Sequence, residues 1–212
     1  MSRPRLLITS GPTREYLDPV RYLSNGSSGT MGCCLAAAGI DRGFEVTIVT
    51  GPVAIEYPKE ATVIEVVSTQ EMFDAVLEIW PSCEGLIGAA APCDFRPLEF
   101  SESKIKKSAD FDALQIGFVP NPDILAEAGR RKTASQWSIG FALETENGRA
   151  NALRKLQRKN CDFIVLNTPA AIDAQESRVE ILDERGEVVD SISGSKRPVS
   201  YTHLTLPTTP YV

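Results

Sequence analysis

Histidine and paired cysteines are nearly absent from this sequence of 212 residues. Its only histidine is His203, so histidine acid–base chemistry and histidine-rich metal sites are excluded unless that C-terminal segment folds back onto the chain. The five cysteines include no CxxC pair, and their odd number and wide scatter exclude a disulfide framework and a zinc site. The pattern indicates reduced thiols in a cytoplasmic protein.

Long apolar runs and an excess of basic residues are also absent. No run is long enough to cross a membrane and no signal peptide is recognisable, so no membrane partner is expected. The net charge of −6 indicates that nucleic-acid binding is not the main function. At this length, with 42% hydrophobic residues, the chain suits one α/β domain with a core of its own.

Alternating apolar runs and helical patterns predict the secondary structure. Strands are predicted at 5–9, 45–50, 62–67, 85–91, 114–119, 137–143 and 162–167, and helices at 30–42, 69–80, 122–131 and 148–160. Two helix starts carry capping signals. Ser68 with Glu71 predicts a capping box, and Asn121 before Pro122 predicts an N-cap followed by proline at the first helical position.

The order of these elements predicts the fold. The strand candidates are nearly continuous in apolar character, as in parallel strands that are covered on both faces. Residues 179–182 and 188–192 flank a glycine-containing turn, which predicts a late β-hairpin. The expected fold is therefore α/β and Rossmann-like: a doubly wound, mostly parallel sheet with helices on both faces and ligands at the carboxyl ends of its strands.

A loop rich in Gly, Ser, Thr and Asn, residues 11–32, lies between the first strand and the first helix. Backbone N–H groups in such a loop, together with a helix N-terminus, suit a phosphate. The loop lacks the Gly-Lys-Ser/Thr ending of a P-loop and contains no GxGxxG. Its unusual length indicates function or disorder, and an ordinary surface loop is the alternative interpretation.

Two further segments lie where this fold would place chemistry. Residues 89–95 follow a buried strand, and their small side chains would let a ring or sugar approach the backbone. Asp94 could accept from hydroxyls, hold a cation or simply cap a turn. Residues 104–107, Lys-Ile-Lys-Lys, are typical of a basic loop that closes over phosphates, and equally of a solvated run of charge.

Two more candidates follow in the second half of the chain. Residues 118–122 end a predicted strand and start a predicted helix, a favourable place for a ligand. The helix at 148–160 carries Lys155 and Lys159 one turn apart, with Arg154 and Arg158 beside them. Such clustering in an acidic protein indicates an anionic ligand, and a solvated helix face is the alternative.

Together these segments resemble the phosphopantothenate–cysteine ligases (phosphopantothenoylcysteine synthetases) of coenzyme A biosynthesis. The resemblance runs from about Leu6 to Val199. It rests on TSGPTREYLDPVRYLSNGSSGTMG, AAAPCDFRP, KIKK, NPDIL, GFALET and LRKLQRKNCDFIVLN, which occur in the family's order. Many bacteria fuse this domain behind a flavin-dependent decarboxylase. Because Met1 stands shortly before the first strand, we expect the stand-alone form, with the decarboxylase as a separate partner.

The resemblance implies a two-step ligation. The carboxylate of 4′-phosphopantothenate attacks the α-phosphate of CTP, which gives an acyl cytidylate and pyrophosphate, and the amine of L-cysteine then displaces CMP. Mg²⁺ is the implied cofactor, carried mainly by the triphosphate, so its protein ligands remain unknown. Neither flavin nor nicotinamide is expected as a cofactor. The resemblance also implies a homodimer.

The resemblance also implies roles for individual residues. Asn25 and Lys104 are the expected catalytic residues: Asn25 would hold the acyl intermediate through its amide for the second step, and Lys104 would reach the triphosphate in the first. Asn25 and Ala91 are expected to bind substrate. The expected nucleotide-binding residues are Gly11, Ser27, Ser28, Ala89, Ala90, Asp94, Lys104, Val119, Pro120, Asn121, Pro122, Phe141, Lys155 and Lys159. Among these, Asp94 and Phe141 would frame the cytidine.

The chain departs from the family at its end. Residues 198–212 contain three prolines and no amphipathic period, so they cannot form the last helix of the family pattern. The expected organisation is a ligase domain over 1–197 and a foreign, disordered tail over 198–212.

Two other functions remain open at this level. A Rossmann-type NAD(P) oxidoreductase would also begin with a strand, a glycine-rich loop and a helix. It is disfavoured because GxGxxG is missing and because the second strand ends in Val49-Thr50-Gly51-Pro52, without an acidic residue for a ribose. The other alternative is a non-catalytic nucleotide-binding remnant. The choice between CTP and ATP is not decided by the residue types.

Overall fold

A mostly parallel sheet of eight strands lies at the centre of the computed structural model, which describes residues 3–107, 114–143, 146–167 and 177–194. In chain order the elements are β1 (Arg5–Ser10), β2 (Arg14–Tyr16), β3 (Tyr22–Ser24), α1 (Thr30–Asp41), β4 (Glu45–Thr50), β5 (Thr62–Glu65), α2 (Thr69–Ile79), β6 (Gly85–Gly88), β7 (Phe95–Pro97), β8 (Phe118–Pro120), α3 (Ile124–Arg131), β9 (Trp137–Leu143), α4 (Gly148–Lys159), β10 (Phe163–Asn167), β11 (Ser177–Asp183) and β12 (Val188–Gly194).

The order of strands across the sheet is β12-β11-β10-β9-β6-β1-β4-β5. The six strands from β10 to β5 pair in parallel, whereas β11 and β12 pair antiparallel as the late hairpin. The chain first builds outward from β1 through β4 to β5, and then returns to build outward on the other side through β6. This reversal between β1 and β6 is a topological switch point, where strand ends diverge and leave a crevice. The predicted fold class is confirmed.

Helices cover both faces of the sheet. Side chains of β1 alternate, so that Leu7 packs with α2, α3 and α4 in one core, while Leu6 and Ile8 pack with α1 in the other. All three side chains are fully buried. Each such side chain stabilises the fold by about 1.5–3 kcal/mol relative to exposure. The first strand therefore contributes buried side chains to both cores and stabilises both.

The two predicted helix starts had different outcomes. The capping box at Ser68 and Glu71 is present, which confirms the start of α2. The predicted cap of α3 was wrong: the helix begins at Ile124, and the Asp123 carboxylate accepts from Ala126 N at 3.1 Å. Asn121 instead donates from Nδ2 to Cys93 O at 3.0 Å. The Asn121 side chain therefore links the end of β8 to the loop that contains Cys93. The residues just before it, 118–120, pair with β7 as a strand.

The predicted strand at 114–119 was also wrong as part of the main sheet. Only Phe118–Pro120 is extended, and it pairs antiparallel with β7 in a separate two-stranded sheet. Leu114 and Phe118 are 48% and 44% exposed. An apolar run therefore marked an outer surface here, and not a core strand. Similarly, the strand predicted at 85–91 ends at Gly88, and the 11–32 loop contains the small hairpin β2–β3.

Among the described residues, no helix combines the length and the apolar character needed to span a bilayer. The tail that the sequence predicts as disordered, 198–212, lies outside the described residues.

The close crossing of α3 and α4 yields a stability test. A Cβ added at Gly129 would lie 2.0 Å from the carbonyl oxygen of Lys159, so Gly129→Ala must push the helices apart. Replacing a helical glycine by alanine normally stabilises by about 1 kcal/mol. We expect the opposite sign here, a fall in the thermal midpoint measured by circular dichroism. A higher midpoint would contradict the observed helix spacing.

Candidate functional site

A cavity of about 1390 Å³ opens at the switch point, beyond the carboxyl ends of β1, β6 and β9. The backbone of residues 88–94 forms its floor, and the loop at 25–29 with the first turn of α1 forms one wall. Residues 121–125 and one face of α4 close the other side. Ligands bind at this place in doubly wound sheets, because neighbouring loops leave in opposite directions there.

Most of the residues predicted from the sequence meet in this cavity. Its lining includes Asn25, Ser27, Ser28, Ala89, Ala90, Ala91, Asp94, Asn121, Pro122, Phe141, Lys155 and Lys159. Four predicted residues do not line it: Gly11, Lys104, Val119 and Pro120. The tertiary structure thus brings together segments that are up to 134 positions apart, from Asn25 to Lys159.

The N-terminus of α1 supplies one anion-binding wall. Gly29 is the N-cap with φ of 75°, no side chain caps the helix, and no acidic residue occupies its first turn. Thr30 N donates to Ser28 Oγ at 3.4 Å. The N–H groups that follow it in the first turn, where the N-cap residue supplies no side-chain cap, attract an anion together with the helix dipole. Ser10 fixes this turn by donating from Oγ to Gly29 O at 3.2 Å. Gly32 is required beside it, since a Cβ there would lie 2.1 Å from Ser10 Oγ.

Asn25 joins the phosphate-type loop to the cavity floor. Its amide nitrogen donates to the carbonyl oxygens of Pro92 at 2.9 Å and Ala91 at 3.3 Å. Both amide hydrogens are thereby directed at the backbone, and Oδ1 is the atom that remains for a ligand. The expected contact through the amide N–H group would require these two bonds to open.

A buried polar network positions the floor. Thr13 Oγ1 lies 2.8 Å from Thr69 Oγ1 and accepts from Cys93 N at 2.9 Å. Glu15 accepts from Thr69 N at 2.8 Å, which ties the start of α2 to the β2 strand. Gly11 takes part through its backbone, because its carbonyl oxygen accepts from Ala91 N at 2.9 Å. Gly11 is therefore a support of the cavity floor and not part of its lining.

The cations of α4 have partners inside the protein. Lys155 Nζ donates to Phe141 O at 2.6 Å, and Lys159 Nζ lies 2.8 Å from Asp123 Oδ1. Burial alone would raise the pKa of Asp123, but the hydrogen bond and charge of Lys159 lower it below its ordinary value of 3.8. A phosphate entering here would compete with this carboxylate for Lys159.

Sequence reasoning missed some lining residues. Asp123, Asn151, Arg154 and Arg158 also line the cavity. The two arginines were noted beside the lysines but not assigned to the site. Arg158 follows Lys155 by three residues and Arg154 by four, and this spacing predicts neighbouring positions on the helix surface.

Lys104 lies outside this cavity, on an exposed loop at 101–107. The loop leans on the turn between β2 and β3, where Asp18 accepts from Ile105 N at 3.1 Å. Burial raises the pKa of Cys83 and Cys93 and raises that of Cys161 to about 11, so these three thiols are poorly suited to act as nucleophiles. Within that part, no cluster of three acidic, cysteine or histidine side chains is arranged to hold a metal ion.

The sequence model of the family "DNA/pantothenate metabolism flavoprotein C-terminal domain" matches residues 1–205. The chain belongs to this family. The resemblance drawn from the sequence motifs is thereby confirmed.

Two matches differ in how much of their own length this chain spans. It is 43% identical over 182 residues to the coenzyme A biosynthesis bifunctional protein CoaBC of Haemophilus influenzae, which covers 84% of this chain and 45% of that protein. The chain thus spans less than half of that relative. A crystal structure of the C-terminal domain of CoaBC matches with a TM-score of 0.80 and 33% identity, covering 97% of this chain and 94% of that one.

A third match supports the fold alone. The Cab2 mutant H337A in complex with phosphopantothenate-cysteine has a TM-score of 0.76 and 17% identity, and the match covers 96% of this chain and 84% of that one.

The Asp123–Lys159 pair gives a pH-dependent prediction. Asp123→Asn keeps a good helix cap but removes the ion pair, so it should lower the free energy of unfolding at pH 7 by about 1 kcal/mol or less. Because the folded-state pKa is lowered, the pair's contribution is present above the ordinary pKa near 3.8 and is lost as the pH falls below it. Urea unfolding at pH 7 and pH 3 measures this. An equal deficit at both values would assign the loss to the cap.

Proposed function

We propose that this chain is a phosphopantothenate–cysteine ligase. The observation that carries the proposal is one cavity, in a chain of this family, which combines an uncapped helix N-terminus, a row of cations and Asn25. In the first step a carboxylate oxygen of 4′-phosphopantothenate bonds to the α-phosphorus of CTP, and the bond to the pyrophosphate breaks. In the second step the amine of L-cysteine bonds to the acyl carbon, CMP leaves, and the amine gives up a proton.

The placement of the cavity walls supports separate binding regions for the cytidine and for the phosphates of the nucleotide. Asp94 and Phe141 would frame the cytidine, beside the small side chains of Ala89 and Ala90 and the segment of Asn121 and Pro122, all of which line the cavity. The first turn of α1, with Ser27 and Ser28, would receive phosphate oxygens from one side. Lys155 and Lys159 would approach them from the other. The phosphates would then lie between the positive end of a helix dipole and two lysines. Both would stabilise the negative charge that develops on the leaving pyrophosphate.

Mg²⁺ would enter with the triphosphate and not in a protein-built site. This agrees with the chemistry of the ion, which keeps several waters and takes few carboxylates where phosphates are present. When bound it would neutralise charge on the leaving pyrophosphate. Asp94 and Asp123 are the carboxylates among the described residues that line the cavity, and Asp123 is already paired with Lys159.

Positioning and charge would account for most of the catalysis. The thiols of Cys83, Cys93 and Cys161 are buried and have a raised pKa. The single histidine belongs to the segment outside the described residues. A ligation through an acyl nucleotidylate needs no covalent enzyme group, because each attacking atom is supplied by a substrate. Such a ligase, acting on small phosphorylated metabolites, is expected in the cytoplasm, where a separate or fused decarboxylase would consume its product.

A homodimer is part of the proposal. We define the apolar arm as the exposed large side chains around β2–β3 and β7–β8. Its members are Tyr22, Leu23, Phe95, Leu98, Phe100, Leu114 and Phe118, each more than 40% exposed. A monomer seldom exposes so many large apolar side chains in one region, whereas a second copy of the chain would cover them.

The dimer has a direct test. Phe95 is 51% exposed on the apolar arm, so Phe95→Asp should halve the molar mass measured by light scattering, from twice 23.1 kDa to 23.1 kDa. Val189, 44% exposed on the far hairpin, supplies the control: Val189→Asp should leave the mass unchanged. A wild-type protein that is monomeric at micromolar concentration contradicts this part of the proposal.

Two alternatives are separated by simple assays. A nucleotide-binding remnant would bind CTP without releasing pyrophosphate in the presence of phosphopantothenate. An NAD(P) oxidoreductase would bind nicotinamide cofactors, but β4 ends at Thr50 and is followed by Gly51-Pro52, without the acidic residue that holds a ribose. Comparing pyrophosphate release with CTP and with ATP decides the nucleotide.

Asn25→Asp should separate the two steps. A carboxylate at this position would face the carbonyl oxygens of Ala91 and Pro92 and an anionic acyl nucleotidylate. We expect pyrophosphate release to survive while formation of the amide falls sharply, so that the intermediate accumulates and can be detected by mass spectrometry.

The matched control for this variant is Asn160→Asp. Asn160 Nδ2 also donates to a backbone carbonyl oxygen, that of Gly129 at 2.8 Å, but outside the cavity. This control should lower stability without changing the ratio of the two steps. Equal loss of both steps in Asn25→Asp would mean that Asn25 acts only by holding the 91–92 backbone.

Lys104→Gln should slow the first step. If the Lys104 side chain reaches the triphosphate from its anchored loop, loss of one charge-assisted contact raises that barrier by about 2–4 kcal/mol. The thermal midpoint should hardly change, because an exposed lysine contributes little to folding. Pyrophosphate release is the measurement and Lys106→Gln is the control. If Lys104→Gln leaves the rate of pyrophosphate release unchanged, residues 104–107 are only a solvent-exposed run of charge.

A further inference from the structure

Asp18 is a fully buried carboxylate with a separate task for each oxygen. Oδ1 accepts from Val20 N and Arg21 N, both at 2.8 Å, and so closes the turn between β2 and β3. Oδ2 accepts from Ile105 N at 3.1 Å and from Arg21 Nη1 at 2.5 Å. One oxygen therefore builds the hairpin, and the other reaches a loop 87 positions further along the chain.

Two more bonds tie the same loop to the same turn. Arg21 Nη1 also donates to Ile105 O at 3.0 Å, and Ser101 N donates to Leu17 O at 3.0 Å. Both polar groups of the Ile105 backbone are thus engaged by the Asp18–Arg21 pair. Burial raises the pKa of Asp18, but the hydrogen bonds from the three backbone N–H groups and the Arg21 side chain outweigh this and lower it well below its usual range. The carboxylate is therefore charged throughout the working pH range.

We propose that Asp18 is a positioning residue that fixes the peptide next to Lys104 and so aims the Lys104 side chain in the first step of the reaction. The inference rests on the proposed ligase function. Lys104 is exposed and directly precedes Ile105, so its side chain is oriented by the backbone that Asp18 and Arg21 hold. A flexible cation becomes effective towards a transferring phosphoryl group only when its base is held still, since misplacement by about 1 Å can cost about 100-fold in rate.

Asp18→Asn removes the hydrogen bonds that Oδ2 accepts from Ile105 N and Arg21 Nη1. The amide oxygen can keep both bonds of Oδ1, so the hairpin turn is preserved. The amide NH₂ then faces the Ile105 N–H and the Arg21 guanidinium, where donor meets donor. We expect pyrophosphate release to fall by about 10- to 100-fold. In a Lys104→Gln background the same change should cost less than about 3-fold, because residues that act through one another are not additive.

A second readout does not depend on activity. An anchored loop resists proteases, so cleavage after the lysines at 104, 106 and 107 by a lysine-specific protease should be faster in Asp18→Asn than in wild type. If wild-type protein releases no pyrophosphate, the ligase proposal fails, while the cleavage rates still test the anchor.

Asp162→Asn is the control. Its Oδ2 accepts from Ser138 N at 2.7 Å and pairs with Lys132, both of which lie near the start of β9 and β10. It should lower stability without changing loop cleavage or the Lys104 coupling. If Asp18→Asn does not fold, Asp18→Glu replaces it, because it keeps the charge and displaces both oxygens. Unchanged pyrophosphate release, or equal fold-losses with and without Lys104, overturns the inference.

Discussion

The parallel pairing of β1 with β4 on one side and with β6 on the other is the constraint on which this structure depends. Each backbone group of a buried central strand must find a partner, and β1 satisfies its groups from both neighbours. The two neighbours are entered by chain segments that run in opposite directions across the sheet. The loops after β1 and β6 must therefore diverge, and the cavity is the space between them.

That space becomes a chemical site because polar groups hold its floor. Thr13, Thr69 and Cys93 form a buried set of hydrogen bonds between the hairpin, α2 and the segment after β6. Asn25 and Asn121 extend the set from two other loops to the same backbone. Because unsatisfied polar groups are costly when buried, this network gives the floor one arrangement. The small residues at 89–91 are then presented to a ligand in a fixed position.

The sequence predicted the fold class, every strand of the main sheet before β11, and most of the cavity lining. These succeeded because apolar continuity, capping signals and glycine-rich loops report local preferences directly. The predicted strand at 114–119 and the cap at Asn121 failed for one reason. Both lie in or next to β8, where apolar side chains are exposed and the Asn121 side chain binds the backbone of another loop. Local pattern does not distinguish a core strand from an exposed apolar surface.

By itself, then, the sequence determined the alternation of strands and helices and the residue types from which a phosphate site is made, since both follow from local spacing. Only the tertiary structure decided which atoms meet. It directs the Asn25 amide at the cavity floor, pairs Lys159 with Asp123, and ties the Lys104 loop to Asp18. Each of these contacts joins residues at least 36 positions apart, and such separations are closed by the packing of the two cores, which no local pattern encodes.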